Sequence, residues 1–200
     1  MTRPLVGFTR WRVELQWRMA GGQVPPPHVV KQRAVLRYQR RYGLRTFVET
    51  GTFTGEMVHA VRRRFDRIVT IELSSHLHSA AAARFAREPH IAVLQGDSGV
   101  LLPRLLEDLR EPALFWLDGH FMGGESARGQ IDTPIAAEMT AVLRHDVRGH
   151  VVLVDDARLF DGTDGYPTLS ALRARVLQER PDTRIEVADD IVRCVFDAVS

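Results

Sequence analysis

Acidic residues in this chain gather where short apolar runs stop. Thr46-Phe47-Val48-Glu49-Thr50 breaks into Gly51-Thr52-Phe53-Thr54-Gly55, and Arg67-Ile68-Val69-Thr70-Ile71 stops at Glu72-Leu73. A glycine-bounded turn lets backbone N–H groups approach a ligand, and the helix that follows adds its dipole. An acid at the end of the next strand can accept two hydrogen bonds from a ribose diol. Together these features read as a nucleotide-type cofactor site. A third run leads through Gln95-Gly96 to Asp97-Ser98, where Ser98 is expected to cap the next helix.

Two further runs, Phe115-Trp116-Leu117 and Val151-Val152-Leu153-Val154, end on Asp118 and on Asp155-Asp156. Like charges this close raise one another's pKa unless a cation sits among them. Hard divalent cations such as Mg2+ take such oxygen ligands, so Asp118, Asp155 and Asp156 are candidate metal ligands. The plainer alternative is that one aspartate caps the following segment and another pairs with Arg158. His120, two residues past Asp118, is a candidate general base, because a neutral imidazole near pH 7 suits proton transfer from a hydroxyl. Its alternatives are metal ligation or a part in loop structure.

The elements that must hold these residues alternate. Short runs rich in Val, Ile, Leu and Phe at 45–50, 67–72, 90–95, 113–118 and 150–155 read as strands buried on both faces. Helices are expected between and after them at 54–65, 74–87, 98–109, 133–146 and 167–180. Arg184 to Val187 and Ile191 to Phe196 flank Asp189-Asp190 as a hairpin. The pattern predicts an α/β fold: a mostly parallel sheet with right-handed crossovers, seven strands in all, and helices on its faces. Ligands then belong at the carboxyl ends of the strands, where the acids lie.

The first 44 residues differ from the rest. Residues 1–45 hold ten Lys/Arg and one acid, and the remainder is net acidic, although the whole chain is only +2. Residues 1–24 read as a short appended helix closed by Gly21-Gly22, and Pro25-Pro26-Pro27 as a stiff break. A helix from His28 to Tyr42, stopped by Gly43, has Val29, Ala34, Val35 and Tyr38 on its apolar side. We therefore expect a basic helical extension or lid (1–44) ahead of the main domain (45–200). It is expected to pack near an acidic body, with His28 and Lys31 near the cofactor; weak contact with an anionic membrane surface and homo-oligomer formation are both compatible with it. No run is long and apolar enough for a membrane span, and no secretory h-region opens the chain. A single cysteine, Cys194, excludes an internal disulfide, fits a cytoplasmic location, and reads as a small core residue. Neither a strand pattern of the RNA-recognition type nor a helix-turn-helix is visible, so nucleic acid is not an expected substrate.

The run from Glu49 to Gly55 resembles motif I of class I S-adenosylmethionine (SAM)-dependent methyltransferases. It is most similar to the form in catechol- and caffeoyl-CoA-type O-methyltransferases, where an aromatic, here Phe53, replaces the middle glycine. The resemblance extends over about residues 45–197 in the order of elements and implies a Rossmann-like methyltransferase sheet with SAM as cofactor. It implies that the loop Glu49, Thr50, Gly51, Thr52, Phe53 and Gly55 meets the methionine part of SAM. Glu72 with Leu73 would lie at the ribose, Asp97 with Ser98 at the adenine, and Asp118 beside the cofactor. Metal-dependent members carry an Asp after the fourth strand and an Asp-Asp or Asp-Asn pair after the fifth, as here. Catechol-type members also carry a Lys three residues after the first Asp. This chain has Phe121 there, which leaves His120 as the candidate base. The resulting expectation is Mg2+-assisted O-methylation of a small polar molecule, sugar-like or of natural-product type. Apolar walls of Phe53, Trp116 and Phe121 would exclude water, and the loop 119–132 would form a lid or substrate wall. The alternatives are a metal-independent enzyme acting on an amine or acid, a SAM- or nucleotide-binding interaction module without turnover, and a different α/β enzyme using rim carboxylates and a metal.

Overall fold

The structure is a computed structural model and describes residues 6–119 and 134–196. Two helices, α1 (Val6–Met19) and α2 (His28–Tyr42), precede the sheet. The parallel strands are β1 (Thr46–Thr50), β2 (Arg67–Glu72), β3 (Ile91–Gln95), β4 (Ala113–Leu117) and β5 (Val151–Val154). They alternate with α3 (Glu56–Val61), α4 (Ser75–Phe85), α5 (Ser98–Glu107) and α6 (Ile135–Arg144). A 3-10 turn (Ala157–Leu159), α7 (Leu169–Glu179) and the hairpin β6 (Arg184–Ala188)–β7 (Ile191–Val195) complete the described chain. The sheet order is β3-β2-β1-β4-β5-β7-β6, with β7 antiparallel to both β5 and β6. This is the seven-stranded, mostly parallel arrangement that the pattern predicts. The strand order reverses between β1 and β4, the point where open α/β sheets leave a crevice at their carboxyl ends.

Burial explains the composition of the strands. Every residue of β1, β4, β5 and β7 is buried, so neither face has room for the polar alternation of a half-exposed sheet. One face packs Val48, Phe115, Leu117, Val152 and Cys194 against α5, α6 and α7. The other packs Phe47, Ile68, Leu114, Trp116 and Leu153 against Val35 and Tyr38 of α2, Val58 of α3 and Phe85 of α4. Trp116 is 1% exposed in this second layer and is core, not a wall of the site as expected from its neighbours in sequence. Cys194 is core as expected, and burial pushes its thiol up to about 12.

Several elements are shorter than the periodicity suggests. The helix expected over 54–65 occupies only Glu56–Val61, because Gly55 (φ +74) belongs to the preceding turn. Ser74 and Thr168 cap α4 and α7 by accepting from Leu77 N and Ala171 N. The hairpin turns at Asp189 and Asp190, both at positive φ, which is the two-residue geometry that Asp tolerates.

Candidate functional site

The loop after β1 is built from backbone. Gly51 N and Thr52 N both donate to Ile71 O, at 3.0 and 3.3 Å, which folds the loop over the end of β2. Gly51 sits at φ +80, and a Cβ on it would lie 2.4 Å from the Asp118 carbonyl oxygen. Only glycine lets the β1 and β4 loops approach this closely. Phe53, also at positive φ and half-exposed, donates its N–H to Glu72 Oε2 at 2.8 Å, while Ser74 N donates to Oε1 at 2.9 Å. Glu72 is therefore aimed by two backbone donors, and each of its oxygens retains a lone pair. Glu49 lies deeper. Its Oε2 accepts from Thr70 Oγ1 at 2.6 Å, and Thr70 Oγ1 shares a 2.5 Å contact with Thr52 Oγ1. Burial pushes the Glu49 carboxyl well above its usual range; the Thr70 hydrogen bond opposes this and the Asp118 and Glu72 charges reinforce it.

The cap of α5 is Asp97 and not, as expected, Ser98. Asp97 is the N-cap of α5 and accepts from Gly99 N at 2.8 Å, whereas Ser98 is the first helical residue and is buried. The reason is chain direction. The extended backbone at Asp97 (φ −71, ψ 121) aims its short carboxylate at the orphan N–H groups of the first turn.

The other side of the rim is built from charge. Asp118, Asp155 and Asp156 present ligand atoms that all lie within 4.8 Å of one another. Asp118 N donates to Thr50 O and Thr50 Oγ1, at 3.2 and 3.3 Å, which ties this aspartate to β1. Asp155 Oδ1 accepts from Asp156 N at 2.8 Å. Asp156 adopts a left-handed backbone (φ 55) that Asp tolerates and that turns the chain into the 3-10 segment. Two cations enter from different elements. Lys31 Nζ, from α2, donates to Asp155 Oδ2 at 2.5 Å and to Asp156 Oδ1 at 3.2 Å. Arg158 Nη1 donates to the same Asp156 oxygen at 2.7 Å and is held by Asp190, which also accepts Arg158 N. The pairing of an aspartate with Arg158, foreseen as the plainer alternative, is thus present within the cluster. Burial lowers the pKa of Lys31, but the charges of Asp155, Asp156 and Asp118 outweigh it, and the ammonium stays charged. Burial and the Asp118 charge push the Asp155 carboxyl upward, against the pull of Lys31.

Glu138 was not anticipated. It projects from α6, is 1% exposed, and neither carboxylate oxygen has a hydrogen-bond partner among the described residues. It borders a narrow cleft with Asp118, Asp155 and Tyr166, and lies beside Gly119. Burial pushes its carboxyl up to about 7; the nearby Ser98 and Thr50 hydroxyls oppose this and the Asp97 and Asp118 charges add to it. A signal existed in the sequence. Ile135, Glu138, Met139, Val142 and Leu143 form one helical stripe, and Glu138 stands in the middle of it. His120, Phe121 and the rest of the loop to Asp132, apart from Gly119, lie outside the described residues.

No protein-family model matches the chain, and no curated protein matches it by sequence. Solved structures do match. An O-methyltransferase from Bacillus cereus, in complex with S-adenosylhomocysteine, aligns with a TM-score of 0.63 and 16% identity over 98% of this chain and 93% of that one. TomG from Streptomyces achromogenes, an O-methyltransferase of tomaymycin synthesis in complex with SAM, aligns at 0.62 and 20% identity over 94% and 88%. PaMTH1 from Podospora anserina, bound to S-adenosylhomocysteine, aligns at 0.59 and 16% identity over 98% and 89%. The chain therefore has the methyltransferase fold over nearly its whole length.

Proposed function

We propose that this chain is a SAM-dependent methyltransferase acting on a hydroxyl of a small polar molecule, sugar-like or of natural-product type, with a divalent cation assisting. The observation that carries the reading is the rim at the strand reversal. There a backbone-aimed carboxylate, Glu72, stands across the β1 loop from three carboxylates within 4.8 Å of one another. The residues present fit both groups. Glu72 has lone pairs left for a diol, and the close approach permitted by Gly51 keeps the β1 and β4 loops in one surface. Asp118, Asp155 and Asp156 are the donor set that a hard cation prefers.

SAM would supply an electrophilic methyl on a sulfonium. A Mg2+ on the three aspartates would lower the pKa of an acceptor hydroxyl. The chain's own contribution is placement. Glu72 holds one reactant, and Asp118, tied to Thr50 of the cofactor strand, fixes the other side at a set distance from it. Near-contact positioning of two reactants can lower a barrier by roughly 7–11 kcal/mol in favourable cases. As the acceptor oxygen gains the methyl it must lose its proton, and His120 is our candidate to take it.

The test is calorimetric titration with SAM, followed by methyl-transfer assays over a panel of polyhydroxylated acceptors with and without EDTA. We expect SAM binding, and transfer that EDTA abolishes. Absence of SAM binding by folded protein would overturn the reading. Transfer indifferent to EDTA would favour a metal-independent enzyme, a second reading supported by the ammonium of Lys31 already among the aspartates. Binding of S-adenosylhomocysteine with no transfer to any acceptor would favour a module without turnover.

A further inference from the structure

Lys31 is the only lysine in the chain, and its ammonium lies inside the carboxylate cluster at the acceptor side of the rim. We propose that Lys31 and a divalent cation are alternative occupants of this cluster, so that Lys31 sets how tightly a metal binds there. The inference rests on the reading of Asp118, Asp155 and Asp156 given above, and extends it to a residue outside the strand ends.

The first argument is space. Mg2+ holds its oxygens at about 2.0–2.1 Å. Lys31 Nζ is 2.5 Å from Asp155 Oδ2 and 3.2 Å from Asp156 Oδ1. An ion bonded to Asp155 Oδ2 would lie within about 4.6 Å of the ammonium, with like charge. The second argument is charge. Three carboxylates already face Lys31 and Arg158, and Arg158 also binds Asp190 through side chain and backbone. Arg158 is thus braced from outside the cluster, whereas the hydrogen bonds of Lys31 to described residues all go to Asp155 and Asp156. Lys31 is the cation that can leave.

The third argument is delivery. Lys31 stands between buried Val30 and buried Gln32 on α2, whose Ala34, Val35 and Tyr38 are core. Tyr38 donates to Glu186 Oε1 at 2.8 Å, which pins the far end of the helix to β6. The Cα of Lys31 is therefore fixed, while its four-carbon stem lets the ammonium swing out. Among 27 Lys and Arg residues, the one compact ammonium is the one placed here. A planar guanidinium would not fit between two carboxylates and retreat as readily.

The experiment is Mn2+ binding to the full chain by electron paramagnetic resonance, without SAM or acceptor, for the wild type, Lys31→Met and Lys31→Met/Asp155→Asn. We expect Lys31→Met to bind at least about tenfold tighter than wild type, and Asp155→Asn to abolish that gain. Equal or weaker binding by folded Lys31→Met would overturn the proposal, as would a gain that survives Asp155→Asn. Should Lys31→Met fail to fold, the wild type decides. Acetylation of Lys31, followed by peptide mass spectrometry, should accelerate several-fold as Mn2+ is titrated in. A rate that stays flat or falls would overturn the proposal. These readouts need no methyl donor, so their failure is distinct from a failure to bind SAM.

Discussion

The two halves of the rim are held by different physics. Around the β1 loop, order comes from neutral backbone: Gly51 and Thr52 bond to Ile71, and two N–H groups aim Glu72. Between β4 and β5, order comes from opposed charge: three carboxylates, Lys31 and Arg158, with the buried acid Glu138 beside them. The first half is satisfied as it stands and tolerates little change of shape. The second is built on charges that only partly cancel, so it responds to cations and pH. A site that must keep one group fixed and adapt to another benefits from this division.

The comparison breaks most sharply at Gly51. Gly51→Ala puts a methyl 2.4 Å from the Asp118 carbonyl at φ +80. We expect a loss of about 3 kcal/mol or more, seen as a large drop in thermal midpoint. A near-native midpoint would show that the two loops do not need this contact.

On the charged side, Glu138→Gln should act through pH. Folded Glu138 keeps its proton to about pH 7 against 4.5 for the ordinary group. The folded state thus binds more protons than the unfolded one between these values, and stability falls as pH rises through that window. Glu138→Gln removes the fall. At pH 8 it should exceed wild type by up to about 3 kcal/mol, with the advantage vanishing near pH 4. Denaturant melts at the two pH values decide it, and a constant difference between them would refute the assignment.

Glu72→Gln sharpens the contrast. It keeps one acceptor for the backbone but loses the charge, so SAM affinity should fall by about 1.5–3 kcal/mol while Mn2+ binding stays unchanged. Asp155→Ala should do the reverse. Equal losses of both ligands in both variants would mean that the two halves are one site. The smallest effect is expected at Asp97→Ala, which removes a helix cap worth about 1 kcal/mol and should register in the melt.

The sheet was legible because its central strands β1, β4, β5 and β7 are buried on both faces, although the edge strand β3, expected to be buried likewise, is part-exposed, and because its punctuation is chemical: Gly51, Gly55 and the Asp189-Asp190 turn each mark a change of direction. The acids at the strand ends followed from the same logic. What escaped was whatever depends on distance in sequence or on side-chain direction. Lys31 was expected near the cofactor, but its pairing with Asp155, 124 positions on, was not. Trp116 and Leu117 point to opposite faces of β4, and with both faces buried nothing in the alternation says which one meets the site. Capping at 97 rather than 98 turns on one residue of backbone direction. Glu138 was visible as a polar interruption of an apolar stripe, but its neighbours across the cleft were not.

Helix α2 is synthesised before any strand of the sheet it covers. Its Tyr38 finds Glu186 148 positions later, and its apolar face shares a layer with Trp116, Leu153 and Val195. While the chain emerges from the ribosome, this helix can meet Phe47 and Val58 early, but its lysine stays in water and its Tyr38 hydroxyl without Glu186 until the last third has been made. Those long-range contacts close long loops of the fold, and such closures are slow. The basic residues spread along it keep the waiting segment hydrated until its partners arrive.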